Sequence, residues 1–296
     1  MKKFVLFAAA LLFGLTACTS QAPSNNLKVV ATTTQMADFA KNIGGDKIDL
    51  KEILKPNVDP HEYEPSPADA VALSDATLVI QNGAGLEKNL EKLIKTNGTK
   101  AVVFTAADYV QLLPGSAEDP LGDPHIWFSV ANVKKIVTGL AETLSKADPA
   151  NAGYYASNKD AYLVQLNDLD SYIKDQINTV PPGNLKLVTN HDAFGYYVKE
   201  YGLVFVGAVI PGLSTDSEPS AAEISALITK IKSEEVPAIF TESSVDPKLA
   251  KQIAAEAGVK INSSLYGDTL GDSGSTGDTY LNMMRYNTDT IVANLK

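Results

Sequence analysis

The feature that most constrains the fold is a stretch without strand signals, residues 149–180, between two stretches in which short apolar runs alternate with helical patterns. Such alternation predicts mostly parallel sheets with helices on both faces. The strand candidates are 27–33, 48–54, 77–81 and 101–105 before the break, and 185–189, 203–208, 238–241 and 259–261 after it.

The stretch itself has the pattern of one long helix. Its apolar residues recur at spacings of four, three, four and four, at Tyr162, Leu166, Leu169, Ile173 and Ile177. About 30 helical residues extend about 45 Å at 1.5 Å per residue. The sequence therefore predicts an α/β protein of two lobes with mostly parallel sheets, 27–148 and 181–296, joined by a linking α-helix at 149–180. A long core helix within one domain is the alternative.

The first residues resemble an export signal. Lys2 and Lys3 precede an apolar run, 4–15, that is shorter than the roughly 20 residues needed to span a bilayer. Leu15-Thr16-Ala17-Cys18 resembles a bacterial lipobox, in which cleavage before the cysteine leaves it lipidated. We therefore expect a leader at 1–17, a lipidated tether at 18–26 and an extracytoplasmic protein anchored to the membrane through Cys18. A plain signal peptide with an incidental cysteine is the alternative.

Composition excludes several classes of protein. The net charge is −10 and Arg285 is the only arginine, which argues against nucleic-acid partners. The single cysteine excludes an internal disulfide and a multi-thiolate zinc cluster. Any imidazole chemistry must use the three histidines, His61, His125 and His191.

The three histidines occupy similar places. Each lies beyond a predicted strand or in a loop, and ligands of α/β proteins bind at the carboxyl ends of strands. Asp-Pro-His occurs twice, at Asp59–His61 and Asp123–His125, and its proline stiffens the backbone before the imidazole. Three unrelated, solvated loop histidines are the alternative. The shared placement favours a metal site in the cleft between the lobes.

Zinc suits neutral imidazoles and prefers four ligands, so a carboxylate from the second lobe should complete the site. The candidates are Asp192, Glu242 and Asp268. Asp192 is disfavoured because it adjoins His191, and neighbouring side chains rarely point the same way. Glu242 follows a strand directly and Asp268 lies in a glycine-rich loop, and these two stay unresolved on the residues alone.

A resemblance to a known protein family implies a complete set of metal ligands. The chain resembles the ZnuA/TroA-like (cluster 9) receptors of bacterial zinc and manganese ABC importers over its whole mature length. The resemblance rests on DPHEYEPSPAD, DPHIWFS, NHDAFGYYVKEYGL, SEPSAAEI, FTESSVDPK and LYGDTLG. It implies a helical-backbone metal receptor with one ion between the lobes, whose ligands fall on His61, His125, His191 and Asp268. Glu242 matches a position near the site, where we expect it to orient a ligand imidazole.

The resemblance also bears on the metal and the partners. Manganese-type members generally have Glu at the third ligand position, whereas this chain has His191, so Zn²⁺ is expected first and Mn²⁺ second. A His-rich loop typical of many zinc receptors is absent, since 111–124 holds no histidine. The partners implied are an ABC permease and its ATPase, and we expect the receptor to be a monomer.

Three other functions compete with that of a metal receptor. A secreted zinc-dependent hydrolase would need an open metal position, and the His-Glu-x-x-His pattern fails because residue 65 is Pro. A metal-binding surface adhesin is neither favoured nor excluded by the charge. A sugar or amino-acid receptor would need more aromatic and arginine side chains than Trp127 and Arg285 provide. We therefore expect a protein that is not an enzyme.

Overall fold

The structure is a computed structural model that describes residues 26–115 and 119–296. The predicted leader, Cys18 and the tether up to residue 25 lie outside the described residues, so the expectations placed on them stay predictions. Within the described ranges, no helix combines the length and apolarity that a bilayer span requires.

The N-terminal lobe is a parallel four-stranded sheet in the order β2-β1-β3-β4, covered by helices. Its strands are β1 (Leu27–Ala31), β2 (Ile48–Glu52), β3 (Leu78–Gln81) and β4 (Val102–Thr105). Its helices are α1 (Thr34–Gly44), α2 (Pro67–Asp75), α3 (Lys88–Thr96) and α4 (Val130–Ala147).

The C-terminal lobe has two parallel pairs, β5 with β6 and β7 with β8, and β5 lies beside β7. Its strands are β5 (Lys186–Thr189), β6 (Val204–Ala208), β7 (Ala238–Glu242) and β8 (Lys260–Leu265). Its helices are α6 (Gly195–Tyr201), α7 (Ala221–Ser233), α8 (Lys248–Ala257) and α9 (Tyr280–Leu295). Each of the eight strands overlaps a predicted one, and β8 continues four residues past its predicted end.

The long helix α5 (Ala152–Ile177) joins the lobes. It has 26 residues, preceded by a short 3-10 turn at Pro149–Asn151, and is thus somewhat shorter than expected. It packs against α1 and α4 of the first lobe and against α6 and α9 of the second. The five residues that predicted its apolar face are all buried. The fold is therefore the predicted α/β architecture of two lobes and a linking helix, while the numerical lobe boundaries stay a prediction.

The largest apolar cluster among the described residues runs through both lobes, and each lobe has a smaller cluster of its own. Buried side chains of the first lobe, such as Val29, form a continuous cluster with the helix residue Leu166 and with Leu187 and Phe240 of the second lobe. Burial of a large apolar side chain contributes about 1.5–3 kcal/mol, so pulling the lobes apart along this core is costly. Movement of the loops at the strand ends costs much less.

Candidate metal centre

The structure brings four of the predicted residues together at the carboxyl ends of the strands. His61 lies in the loop after β2 and His125 in the segment between β4 and α4, while His191 follows β5 and Asp268 follows β8. One ligand atom of each lies within 4.8 Å of those of the others, and all four side chains are buried. Each lobe therefore contributes two side chains to the centre.

The spacing of these atoms resembles a coordination shell. Asp268 Oδ2 lies 3.3 Å from His191 Nε2 and 3.7 Å from His61 Nε2, and Asp268 Oδ1 lies 3.4 Å from His125 Nε2. The Nε2 atoms of His125 and His191 are 3.3 Å apart. Ligands at about 2.0–2.1 Å from a tetrahedral zinc ion are separated by about 3.3–3.4 Å. Four donors at these distances surround a space of the size of one ion.

Several atoms of the centre have no other partner. His61 Nε2 and both carboxylate oxygens of Asp268 are buried without a hydrogen bond among the described residues. A buried, unpaired carboxylate is strongly disfavoured unless a positive charge neutralises it. Nitrogen and oxygen lone pairs that converge in this way are the donor set of a divalent cation.

The repeated Asp-Pro-His tripeptide shapes both histidine loops of the first lobe. The backbone N–H of His61 donates to Asp59 Oδ1 at 2.8 Å, and that of His125 donates to Asp123 Oδ1 at 2.9 Å. Asp123 Oδ1 also lies 2.8 Å from His125 Nδ1. A carboxylate at Nδ1 holds the proton there and leaves Nε2 free for a metal.

Glu242 contacts His191 from the neighbouring strand through two separate carboxylate oxygens. Its Oε1 accepts the backbone N–H of His191 at 3.0 Å, and its Oε2 lies 2.9 Å from His191 Nδ1. A Cβ added at Gly267 would lie 2.3 Å from Glu242 Oε2, so glycine leaves room for this carboxylate. Glu242 therefore lies behind His191 and outside the group of four.

The surroundings of His61 and His191 shift the pKa of the two rings in opposite directions. Burial lowers the pKa of His61 to about 3. Burial would also lower the pKa of His191, but the carboxylates of Glu242 and Asp268 outweigh it and raise that pKa well above its ordinary value. Burial would raise the pKa of Asp268, but the charge of His191 holds it well below its usual range. In the absence of a metal, a proton on His191 thus supplies positive charge to the carboxylates.

The sequence reasoning overlooked Asp123. The prediction drawn from the tripeptide rests on its proline and assigns no role to its aspartate. The repeat was the available signal, because an aspartate two residues before a histidine can reach both the N–H and Nδ1 of that histidine. Asp192, the candidate that was disfavoured, lies outside the group of four and lines a surface pocket with Pro211 and Glu223.

Comparisons with known proteins agree with this geometry. A curated manganese ABC transporter substrate-binding lipoprotein, PsaA of Streptococcus mitis, is 36% identical over 99% of this chain and 97% of that protein. The metal ABC transporter substrate-binding lipoprotein SsaB of Streptococcus sanguinis is 36% identical over 97% of this chain and 95% of that protein. The solved periplasmic zinc-binding protein TroA of Treponema pallidum has a TM-score of 0.86 and 33% identity, over 91% of this chain and 99% of that one.

The family comparison gives the same result over nearly the whole described chain. The sequence profile of ZnuA, the periplasmic zinc-uptake complex component A, matches residues 29–294. Together with relatives above 30% identity over nearly their full lengths, this match confirms the resemblance drawn from the motifs. The chain belongs to the ZnuA family of metal-binding components of ABC importers.

Proposed function

We propose that this chain is the extracytoplasmic receptor of a metal-importing ABC transporter, and that it carries one divalent ion as cargo between its lobes. His61, His125, His191 and Asp268 are the proposed ligands. The observation that carries the proposal is the group of four buried donor atoms within 4.8 Å of one another, several of which form no hydrogen bond among the described residues.

Zn²⁺ is the proposed first cargo and Mn²⁺ the second. Three imidazoles and one carboxylate suit zinc better than manganese, which prefers more oxygen ligands. Four of the donor separations, which involve both oxygens of Asp268, are 3.3–3.7 Å and lie near the spacing around a tetrahedral ion. The names of the relatives point both ways, since PsaA is named for manganese and TroA for zinc. The choice of zinc over manganese therefore rests on the chemistry of the donor atoms.

The site is suited to holding an ion rather than to catalysis. A hydrolytic zinc keeps one position open for water, with a base nearby. Here four protein donors already surround the centre and all four are buried. Glu242 contacts the far side of His191, so its proposed role is to orient that imidazole. We accordingly propose a receptor that is not an enzyme, and family membership favours it over the hydrolase and the adhesin.

The remaining parts of the proposal concern anchoring and delivery. Relatives are named as lipoproteins of ABC transporters, which supports a lipid anchor on Cys18 at the outer face of a membrane. The partners are the permease and its ATPase, and the receptor acts as a monomer. Delivery requires the permease to open a site that the closed lobes hold shut.

Metal competition tests the proposal. Residues 19–296 are stripped with a chelator, offered equimolar Zn²⁺ and Mn²⁺, and analysed by inductively coupled plasma mass spectrometry beside His191→Ala. We expect one zinc per chain and its loss in the variant. One manganese per chain would overturn the choice of metal but keep the receptor. No stoichiometric metal in the unmodified chain would overturn the receptor itself.

A further inference from the structure

The two Asp-Pro-His tripeptides use their aspartates differently. Both aspartates accept the N–H of their histidine through Oδ1. Asp123 then contacts His125 Nδ1, whereas the other oxygen of Asp59 turns away from His61 and accepts the Thr215 hydroxyl at 2.6 Å. Thr215 belongs to the loop after β6 in the opposite lobe. Asp59 therefore links the loop of His61 to the second lobe.

His61 also differs from the other two histidines in what supports its ring. His125 and His191 each have a carboxylate at Nδ1, 2.8 and 2.9 Å away. In the described part of the chain, the one carboxylate within ion-pair distance of His61 is Asp268, and it contacts Nε2. The ring of His61 is thus positioned through its backbone, and its backbone is held by Asp59.

A second contact strengthens the same junction. Lys88, the first residue of α3, forms an ion pair with Asp216, the neighbour of Thr215. This pair is exposed and contributes little by itself. The hydroxyl–carboxylate bond is charge-assisted, and Asp59 and Thr215 are both partly buried. The junction joins two loops and leaves the continuous apolar core between the lobes untouched.

We propose that Asp59 and Thr215 form a latch that holds His61 in the metal centre, and that opening of this latch is the step that frees the ion. The inference rests on the proposed receptor function and deepens it. When the Thr215 hydroxyl leaves Asp59, the segment just before His61 loses this bond to the second lobe. Asn57 keeps its bonds to Thr269 and Asp272 of that lobe, so the movement is confined to the segment that follows Asn57. His61 then swings out first, because His125 and His191 keep their carboxylates.

The test is the rate of metal dissociation from the full chain. Zinc-loaded protein is mixed in a stopped-flow instrument with an excess of a chromogenic chelator. Loss of a hydrogen bond to a charged group is expected to accelerate dissociation about tenfold in Thr215→Val. Thr215→Ser keeps the hydroxyl and should dissociate like the unmodified chain. Thr229→Val, on the exposed face of α7, is the matched control and should also leave the rate unchanged.

Thermal unfolding of the metal-free variants separates a latch from general damage. Because one hydrogen bond is lost, we expect metal-free Thr215→Val to unfold no more than about 5 °C below the unmodified chain. The latch is refuted if Thr215→Val dissociates at the unmodified rate, or if Thr215→Ser dissociates as fast as Thr215→Val. Faster dissociation accompanied by a drop in the unfolding temperature of the metal-free variant well beyond about 5 °C would equally overturn it. If the unmodified chain binds neither zinc nor manganese, the proposed function fails and the latch fails with it.

Discussion

Glu242→Gln is the substitution that tests the support of the metal centre most directly. The carboxylate contacts two donors of His191, the backbone N–H and Nδ1. Glutamine has the same size, but its amide nitrogen must face one of those donors. If the amide nitrogen faces Nδ1, the imidazole proton moves to Nε2, and a proton at Nε2 blocks metal binding. If the amide nitrogen faces the backbone, the buried N–H of His191 loses its acceptor.

The size of the effect follows from these contacts. Removing an outer partner of a metal-bound histidine weakens metal binding about 10–100-fold, or about 1.4–2.7 kcal/mol. Part of this loss is offset. Without the Glu242 carboxylate the pKa of His191 falls, so a smaller fraction of His191 carries a proton that the metal must displace. We therefore expect about a tenfold loss of zinc affinity near pH 7.

Zinc affinity is measured by titration against a chelator of known affinity, with the unmodified chain and Glu256→Gln in parallel. Glu256 is an exposed acid on α8, so its substitution removes the same charge far from the centre. The Glu256 variant should bind zinc as the unmodified chain does. Equal affinity in Glu242→Gln and Glu256→Gln would refute the reasoning, because the carboxylate would then do no more than a distant charge.

Three further predictions concern other residues. Asp123→Asn should weaken zinc binding about tenfold in the same chelator titration, because Asp123 supports His125 as Glu242 supports His191; unchanged affinity would count against this. Zinc binding should change the fluorescence emission of Trp127, the single tryptophan, because its ring centroid is 5.5 Å from that of His125. A titration in which the emission stays constant up to one zinc per chain would contradict this. Burial, followed by repulsion from Glu91, raises the pKa of Glu87 from 4.5 to about 7, so its neutral form is favoured in the folded chain. Stability from this group is complete below pH 4.5 and is lost as the pH rises through 7, so the unmodified chain should lose about 3 kcal/mol relative to Glu87→Gln over that interval. Denaturant unfolding at several pH values measures this difference, and parallel curves for the two chains would show the pKa assignment to be wrong.

The helices and strands of the fold could be predicted from the sequence because the patterns that indicate them are local. Strands appear as short apolar runs. The start of α2 has Pro67 in its first turn, and Ser66 and Asp69 form a capping box in the structure. The long helix shows its buried face in the spacing of its apolar residues. Strand order within each sheet has no comparable signal, because it depends on which helices pack on which face.

Part of the candidate site could be predicted from the sequence. The three histidines could be grouped by their places after strands, since parallel strands direct their carboxyl ends to one edge. Glu242 and Asp268 could not be separated, because both follow strands of the same lobe. Their difference arises in the fold, where the last residue of β7 reaches behind His191 and the loop after β8 brings Asp268 to the centre. Such distances depend on the docking of two lobes, which no local pattern records.

The two identical tripeptides show how the surroundings decide the role of a residue. A Cβ added at Gly195 would lie 2.7 Å from Asp123 Oδ2, so the start of α6 packs closely against this carboxylate, whose other oxygen contacts His125. At Asp59 the neighbour is the Thr215 hydroxyl of a loop, which attracts one oxygen away from His61. The same three residues therefore support one imidazole rigidly and the other through a bond that loop movement can break. Because the apolar core is continuous through both lobes, that loop junction offers a less costly route for release than separation of the lobes.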